Sequence, residues 1–225
     1  MRPSVLVFDV NETLLDLSPM RSAFEEVLGT AEPLGEWFAR LLHGSLLANA
    51  LDDYRRFGTI GVEALVGVAA RRGIDLTNED AREVVKEIRS LPPHPDVEGG
   101  LARLRNMDLR LATLTNGDPD AVEAQLRHAG IRHHFEAALS IEMVRRFKPD
   151  PAPYREACRF LDAPAEAAML VAAHDWDVAG AARTGMRTAF ITRPGVRWGL
   201  PGIPPDLTAT DIDDLATTLA GSSVD

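Results

Sequence analysis

The amino-acid sequence predicts an α/β protein built on a doubly wound parallel sheet, with a block of helices inserted after the first strand. Three observations carry that prediction. Short apolar runs recur along the chain, each too short for a helix and each ending in polar residues. Stretches of helical length separate most of them, so strand and helix alternate and imply right-handed crossovers. Between about Ser18 and Leu91 the alternation stops, and apolar residues fall at three- and four-residue spacing with no strand pattern.

Taken in order, residues 4–10 read as a fully buried first strand, rich in Val, Leu and Phe. Leu34, Trp37, Phe38, Leu41 and Leu42, then Ile60, Ala64, Leu65 and Val68, mark apolar helix faces within a four-helix insertion that is a candidate cap. Pro92, Pro93 and Pro95 cannot continue a helix and return the chain to the core. The expected domains are therefore an α/β core over 1–17 and 92–225 and a helical cap over 18–91. Further strands are expected at residues 109–115, 135–140, 167–172 and 187–191, with helices at 119–129, 151–161 and 177–184. The Gly/Pro-rich stretch 193–205 reads as a loop, and a last helix begins near Asp211.

Composition narrows the function classes. A chain of 225 residues, 45% hydrophobic, buries a substantial core. Its net charge of −10 repels polyanions, so neither nucleic acid nor an acidic membrane surface is the expected partner. A small anionic substrate stays compatible, because a local cluster of cations overrides the overall sign. The single cysteine, Cys158, excludes an intramolecular disulfide and suits a reducing compartment. The apolar run at the N-terminus is far too short for a signal peptide or a membrane span, and the expected location is the cytoplasm.

In an open α/β sheet, ligands bind outside the carboxyl ends of the strands. The polar residues there are Asp9, Asn11 and Thr13; Thr115 and Asn116; Lys148; and His174, Asp175 and Asp177. Alone, an Asp after a strand is ordinarily a turn residue or a helix cap. The set as a whole says more. Phe8-Asp9-Val10-Asn11-Glu12-Thr13-Leu14, Leu114-Thr115-Asn116-Gly117, Lys148-Pro149-Asp150 followed by Tyr154, and Trp176-Asp177, with helices inserted after the first motif, resemble the haloacid dehalogenase superfamily. The similarity is greatest to its 2-haloacid dehalogenase branch and runs over nearly the whole chain.

That resemblance implies a Rossmann-like core under a cap, and a covalent mechanism without a metal or other cofactor. Asp9 would be the nucleophile, kept ionised by Lys148 and oriented by Thr13. Thr115 and Asn116 would hold the substrate's oxygens, and Asp177 would activate the water that cleaves the ester on Asp9. The implied reaction converts a small 2-haloalkanoic acid to the 2-hydroxy acid, in a chain that pairs as a homodimer through its helical insertion.

Several positions depart from the pattern. Phosphatases of the superfamily carry a second Asp two residues after the nucleophile as general acid, where this chain has Asn11. They also carry acidic residues after the fourth strand for Mg²⁺, where this chain has Ala172 and Ala173. Dehalogenases present a halide-receiving Arg just after an aromatic residue of the cap; here Phe38 follows Trp37, and Arg40 lies two residues on, ~200° around a helix. Arg40 or Asn11 is the expected halide partner. His174 is read as a donor to the substrate carboxylate or an aid to the hydrolytic water. Two other readings stay open: a phosphatase acting on a small ester, and a non-catalytic binding protein that keeps the fold.

Overall fold

Parallel partners flank Val5–Phe8 (β1) on both sides, which is why all four of its side chains are buried. Alternation sends Val5 and Val7 to one face of the sheet, with Leu114, Leu170 and Phe190, and Leu6 and Phe8 to the other, with Met169 and Val171. These relations come from a computed structural model that describes residues 3–199 and 203–221. Met1, Arg2 and residues 200–202 of the expected Gly/Pro loop lie outside the described residues.

After β1 the chain enters the helical insertion: α1 (Met20–Leu28), α2 (Leu34–Leu51), α3 (Phe57–Ala70) and α4 (Asn78–Lys86), closed by a 3-10 turn at Glu87–Ser90. Trp37 anchors it, packing edge-on against Phe24 and donating its indole N–H to the Gly61 carbonyl at 2.8 Å. The core then resumes with α5 (Val97–Arg105), β2 (Arg110–Thr115), α6 (Pro119–His128), β3 (Ala137–Ser140), α7 (Pro151–Phe160), β4 (Ala168–Ala172), α8 (Asp175–Ala182), β5 (Arg187–Ile191), β6 (Leu207–Ala209) and α9 (Ile212–Gly221). The sheet order is β3-β2-β1-β4-β5-β6 with every pairing parallel. Strand order therefore reverses between β1 and β4, and the crevice at their carboxyl ends is where such a sheet binds ligands. Among the described residues no helix is long and apolar enough to cross a membrane.

The doubly wound sheet and the four inserted helices match the sequence reading, with corrections at the edges. Strands are shorter than expected: Ser4, Asp9 and Val10 fall outside β1, Leu109 outside β2, Phe135 and Glu136 outside β3, and Ala167 outside β4. Strand ends carry no sharp sequence signal, so the reading overshoots by one or two residues. Strand β6 was missed because three residues on a sheet edge carry no readable pattern. Helix α5 was missed because Gly99 and Gly100 dilute its helix signal. Gly100 has a packing reason: a Cβ there would lie 2.8 Å from the Ile212 backbone of α9. Helix α8 begins at Asp175 rather than Asp177, which puts Asp177 in the first turn of the helix rather than at its start.

Candidate active site

Asp9 stands one residue beyond β1, its N–H donating to the Val171 carbonyl of β4 at 3.0 Å. The following turn carries Glu12 in the left-handed region, φ 61°. It brings the Thr13 hydroxyl to 2.7 Å from Asp9 Oδ2, while the Ala173 N–H holds that hydroxyl from behind at 2.9 Å. Thr13 is fully buried, and the bonds it donates to Asp9 and accepts from Ala173 orient its hydroxyl.

Lys148 approaches from the other side. A buried ammonium needs three acceptors, and Nζ finds them in Asp9 Oδ1 at 2.8 Å, Asp177 Oδ2 at 2.6 Å and the Leu114 carbonyl at 2.9 Å. Burial alone would push this lysine down; Asp177 and Asp9 outweigh it and hold it above the usual value. Helix α8 can press this close because residue 180 is glycine: a Cβ there would meet Pro149 at 2.6 Å and the Tyr154 hydroxyl at 2.7 Å. Tyr154 donates to Asp177 Oδ1 at 2.6 Å, completing a closed chain Tyr154–Asp177–Lys148–Asp9.

His174 caps the front. Its Nδ1 lies 3.1 Å from Asp9 Oδ2 and its Nε2 2.9 Å from Glu12 Oε2. Burial disfavours the imidazolium, but hydrogen bonds and charge from Asp9 and Glu12 raise it to about 10. The ring is stacked between Phe38 of α2, 5.9 Å away, and Trp176, 5.2 Å away. Asp9 thus has a cation on each side. Burial pushes its carboxyl up, yet Lys148 and His174 together hold it well below the usual carboxylate range. Asp177 goes the other way: burial pushes it up, Lys148 opposes, and the Asp9 charge tips it above the ordinary value.

The remaining expected residues distribute unevenly. Asn116 is buried and accepts the Lys148 backbone N–H at 2.9 Å; Thr115 Oγ1 accepts the Gly117 N–H at 3.1 Å. Asn11 Oδ1 accepts from Gln125 at 2.8 Å, which orients the amide and leaves its nitrogen for another acceptor. Asn11 and Gly117 border a cavity of about 820 Å³ beside the inserted helices, lined also by Trp37, Arg56, Arg89 and Gln125. Asp9 itself does not line that cavity, whereas Asn11, two residues on, does. Arg40 is not brought in: it pairs with Glu36 at 3.0 Å on the outer face of α2, as the ~200° rotation from Phe38 requires.

Some site residues carried no usable signal in the sequence. Gln125 sits mid-helix on α6, 114 residues from Asn11, and nothing local marks the pairing. Asn49 of α2 exchanges two bonds with the Phe147 backbone, at 2.7 and 2.9 Å, tying the insertion to the residue before Lys148. Glu12 lies inside the first motif and His174 at the end of the fourth strand, but nothing in the sequence marked their pairing.

The donor set does not fit a hard divalent cation. Mg²⁺ takes one or two carboxylates and keeps several waters in a near-ideal octahedron. Here Lys148 fills the gap between the two buried carboxylates, Asn11 is an amide tied to Gln125, and Ala172 and Ala173 offer no side-chain oxygen. Asp175 faces away, accepting from the Trp176 and Gly199 N–H groups.

A family model of haloacid dehalogenase-like hydrolases matches residues 3–185. Haloacetate dehalogenase H-2 of Moraxella sp. (strain B) is 27% identical over 217 residues, covering 96% of this chain and 97% of that protein. Phosphoserine phosphatase of Thermus thermophilus is 33% identical over 244 residues, covering 94% and 97%. The solved L-2-haloacid dehalogenase from Xanthobacter autotrophicus with chloropropionic acid covalently bound superposes with a TM-score of 0.92 at 25% identity, over 98% of this chain and 100% of that one. The chain belongs to the haloacid dehalogenase-like hydrolase family.

Proposed function

We propose that this hydrolase cleaves the carbon–halogen bond of a small 2-haloalkanoic acid. An Asp9 oxygen attacks C2, the carbon–halogen bond breaks, and halide leaves with the bonding pair. Water then attacks the ester carbonyl on Asp9, releasing the 2-hydroxy acid and regenerating the carboxylate. One observation carries the reading: Asp9 is held ionised between Lys148 and His174, while Asn11 stands where a general acid would be needed. A halide departs without a proton, whereas an alkoxide leaving from phosphorus requires one. The Asn11 amide nitrogen is the donor we assign to the halide, and Thr115 and Asn116 border the substrate carboxylate.

For ester hydrolysis the base is His174, backed by Glu12. Esterification removes the Asp9 charge that helps keep the imidazole protonated, so Nδ1 releases its proton to solvent while Nε2–H stays on Glu12; His174 is 13% exposed where Asp177 is sealed at 0%. Asp177, paired with Lys148 and Tyr154, is the competing base. We place the cap at 18–91, the core at 1–17 and 92–225, and the enzyme in the cytoplasm, consistent with its one cysteine.

The test uses both enantiomers of 2-chloropropionate, chloroacetate, fluoroacetate and an aryl phosphate. Halide release without phosphate release is expected, with the S enantiomer preferred, and Asp9→Asn abolishes it. A single turnover in ¹⁸O-water with enzyme in excess labels Asp9. Phosphate release without halide release overturns the reading in favour of the chemistry of the phosphatase relative. In burst experiments His174→Gln slows ester hydrolysis far more than Asp177→Asn does; the reverse order assigns the base to Asp177.

A further inference from the structure

We infer that Glu98, His133 and His134 form a binding site for a first-row divalent metal, zinc in particular, at the end of the sheet opposite Asp9. Glu98 lies on α5, and the two histidines form the one-turn helix before β3. One ligand atom from each residue lies within 4.8 Å of the others.

The buried histidine is the telling one. His134 is only 5% exposed, yet among the described residues neither ring nitrogen has a hydrogen-bond partner, which is rare for a buried polar group. Its Nε2 is 3.0 Å from Glu98 Oε1 without the alignment of an N–H···O bond. Two atoms close together but not aimed at each other is the arrangement of ligands aimed at a common point. Zinc bonds of about 2.0 Å in tetrahedral geometry put neighbouring N and O ligands roughly 3.3 Å apart. The Glu98 oxygen lies 3.0 Å from His134 Nε2 and 3.7 Å from His133 Nε2, on either side of that separation.

His133 is prepared as a ligand by its surroundings. Its Nδ1 lies 3.0 Å from the Gly130 carbonyl, an acceptor that fixes the proton on Nδ1 and leaves the Nε2 lone pair facing Glu98. Metal-bound histidines are oriented in this way, by a carbonyl on the far nitrogen. The Arg105 guanidinium pins the His133 carbonyl at 3.0 Å, and the two imidazoles lie 4.0 Å apart. The histidines open onto a recess of about 370 Å³ that Arg105, Asp108, Arg110 and Glu136 also line. Arg110 is neutralised by Glu136 at 2.8 Å, and Glu98 supplies the negative charge nearest the two imidazoles. Two nitrogens and one carboxylate suit zinc and its neighbours over Mg²⁺ or Ca²⁺, and three protein ligands leave a fourth position for water.

Because the strands are parallel, residues preceding β3 lie at the amino ends of the sheet, away from Asp9. The ion would join α5 to the turn before β3, so it reads out in stability rather than turnover. The test is titration of the full-length, tag-free chain with zinc by calorimetry and with Co²⁺ by visible absorption. We expect one zinc per chain, a visible band from tetrahedral Co²⁺, a rise in Tm of at least ~2 °C at saturating zinc, and unchanged dehalogenation. His133→Ala and Glu98→Gln, both exposed and neutral to folding, each weaken zinc at least ~10-fold, while His43→Ala in the cap does not. Absence of stoichiometric binding overturns the inference, as does binding that both variants leave intact.

Discussion

At the scale of single residues, the site is a charge arrangement before it is a set of reagents. Asp9 keeps its charge although buried because Lys148 and His174 flank it, and His174 keeps its own because Asp9 and Glu12 bracket it. The stability consequence has a definite sign. The folded-state pKa of His174, about 10, lies above its ordinary value of 6.5, so folding gains from its charge below pH 6.5 and loses that gain as pH rises through 10. The stability gap between the wild-type chain and His174→Gln, measured by denaturant unfolding, should therefore be largest at about pH 6 and shrink steadily between pH 6.5 and pH 10. A gap that stays constant with pH means that the imidazole is neutral in the fold and contributes only packing. Of these residues, Asp9, Thr13, Lys148, Asp177 and His174 were singled out in the sequence and are gathered by the structure, and Arg40 was singled out and is not.

At the scale of elements, the approach of α8 to the Lys148–Pro149 segment sets the distances around Asp9. Gly180 permits it, since Pro149 and the Tyr154 hydroxyl occupy the space a Cβ would need. Gly180→Ala should cost about 1–3 kcal/mol by overpacking, and should also push Asp177 away from Lys148. Activity should fall by more than the loss of folded protein explains, read as kcat per folded molecule after denaturant unfolding has fixed the folded fraction. A variant with full kcat and wild-type stability would show that α8 has slack. This contact was invisible in the sequence for a plain reason. Glycine inside a helix reads as a weak helix former, and only the neighbouring Pro149 shows why it is there. Strands β1 to β5 were legible because burial on both faces leaves unbroken apolar runs. The three residues of β6 were not, because an edge strand of that length has no period to read.

At the scale of the whole molecule, the insertion carries an apolar surface that the fold leaves uncovered. Leu47 and Leu51 share one face of α2, one turn apart, and are 46% and 66% exposed, with Leu46 beside them at 47%. The homodimer implied by the family resemblance would bury this face. Light scattering at tens of micromolar should then give twice the 24.5 kDa chain mass, and a Leu47→Glu, Leu51→Glu variant should give the monomer. A wild-type monomer at that concentration removes the dimer. Sequence alone determined the alternation that makes a doubly wound sheet, the place of the helical insertion, and the polar residues at the strand ends, because each is written in local period and short motif. Tertiary structure alone decided which groups meet: Gln125 with Asn11, Asn49 with Phe147, and His174 between Asp9, Glu12, Phe38 and Trp176. Those pairings join residues a hundred or more positions apart in most cases, and hydrogen bonds, ion pairs and ring contacts at that separation leave no trace in composition or periodicity until the chain closes on itself.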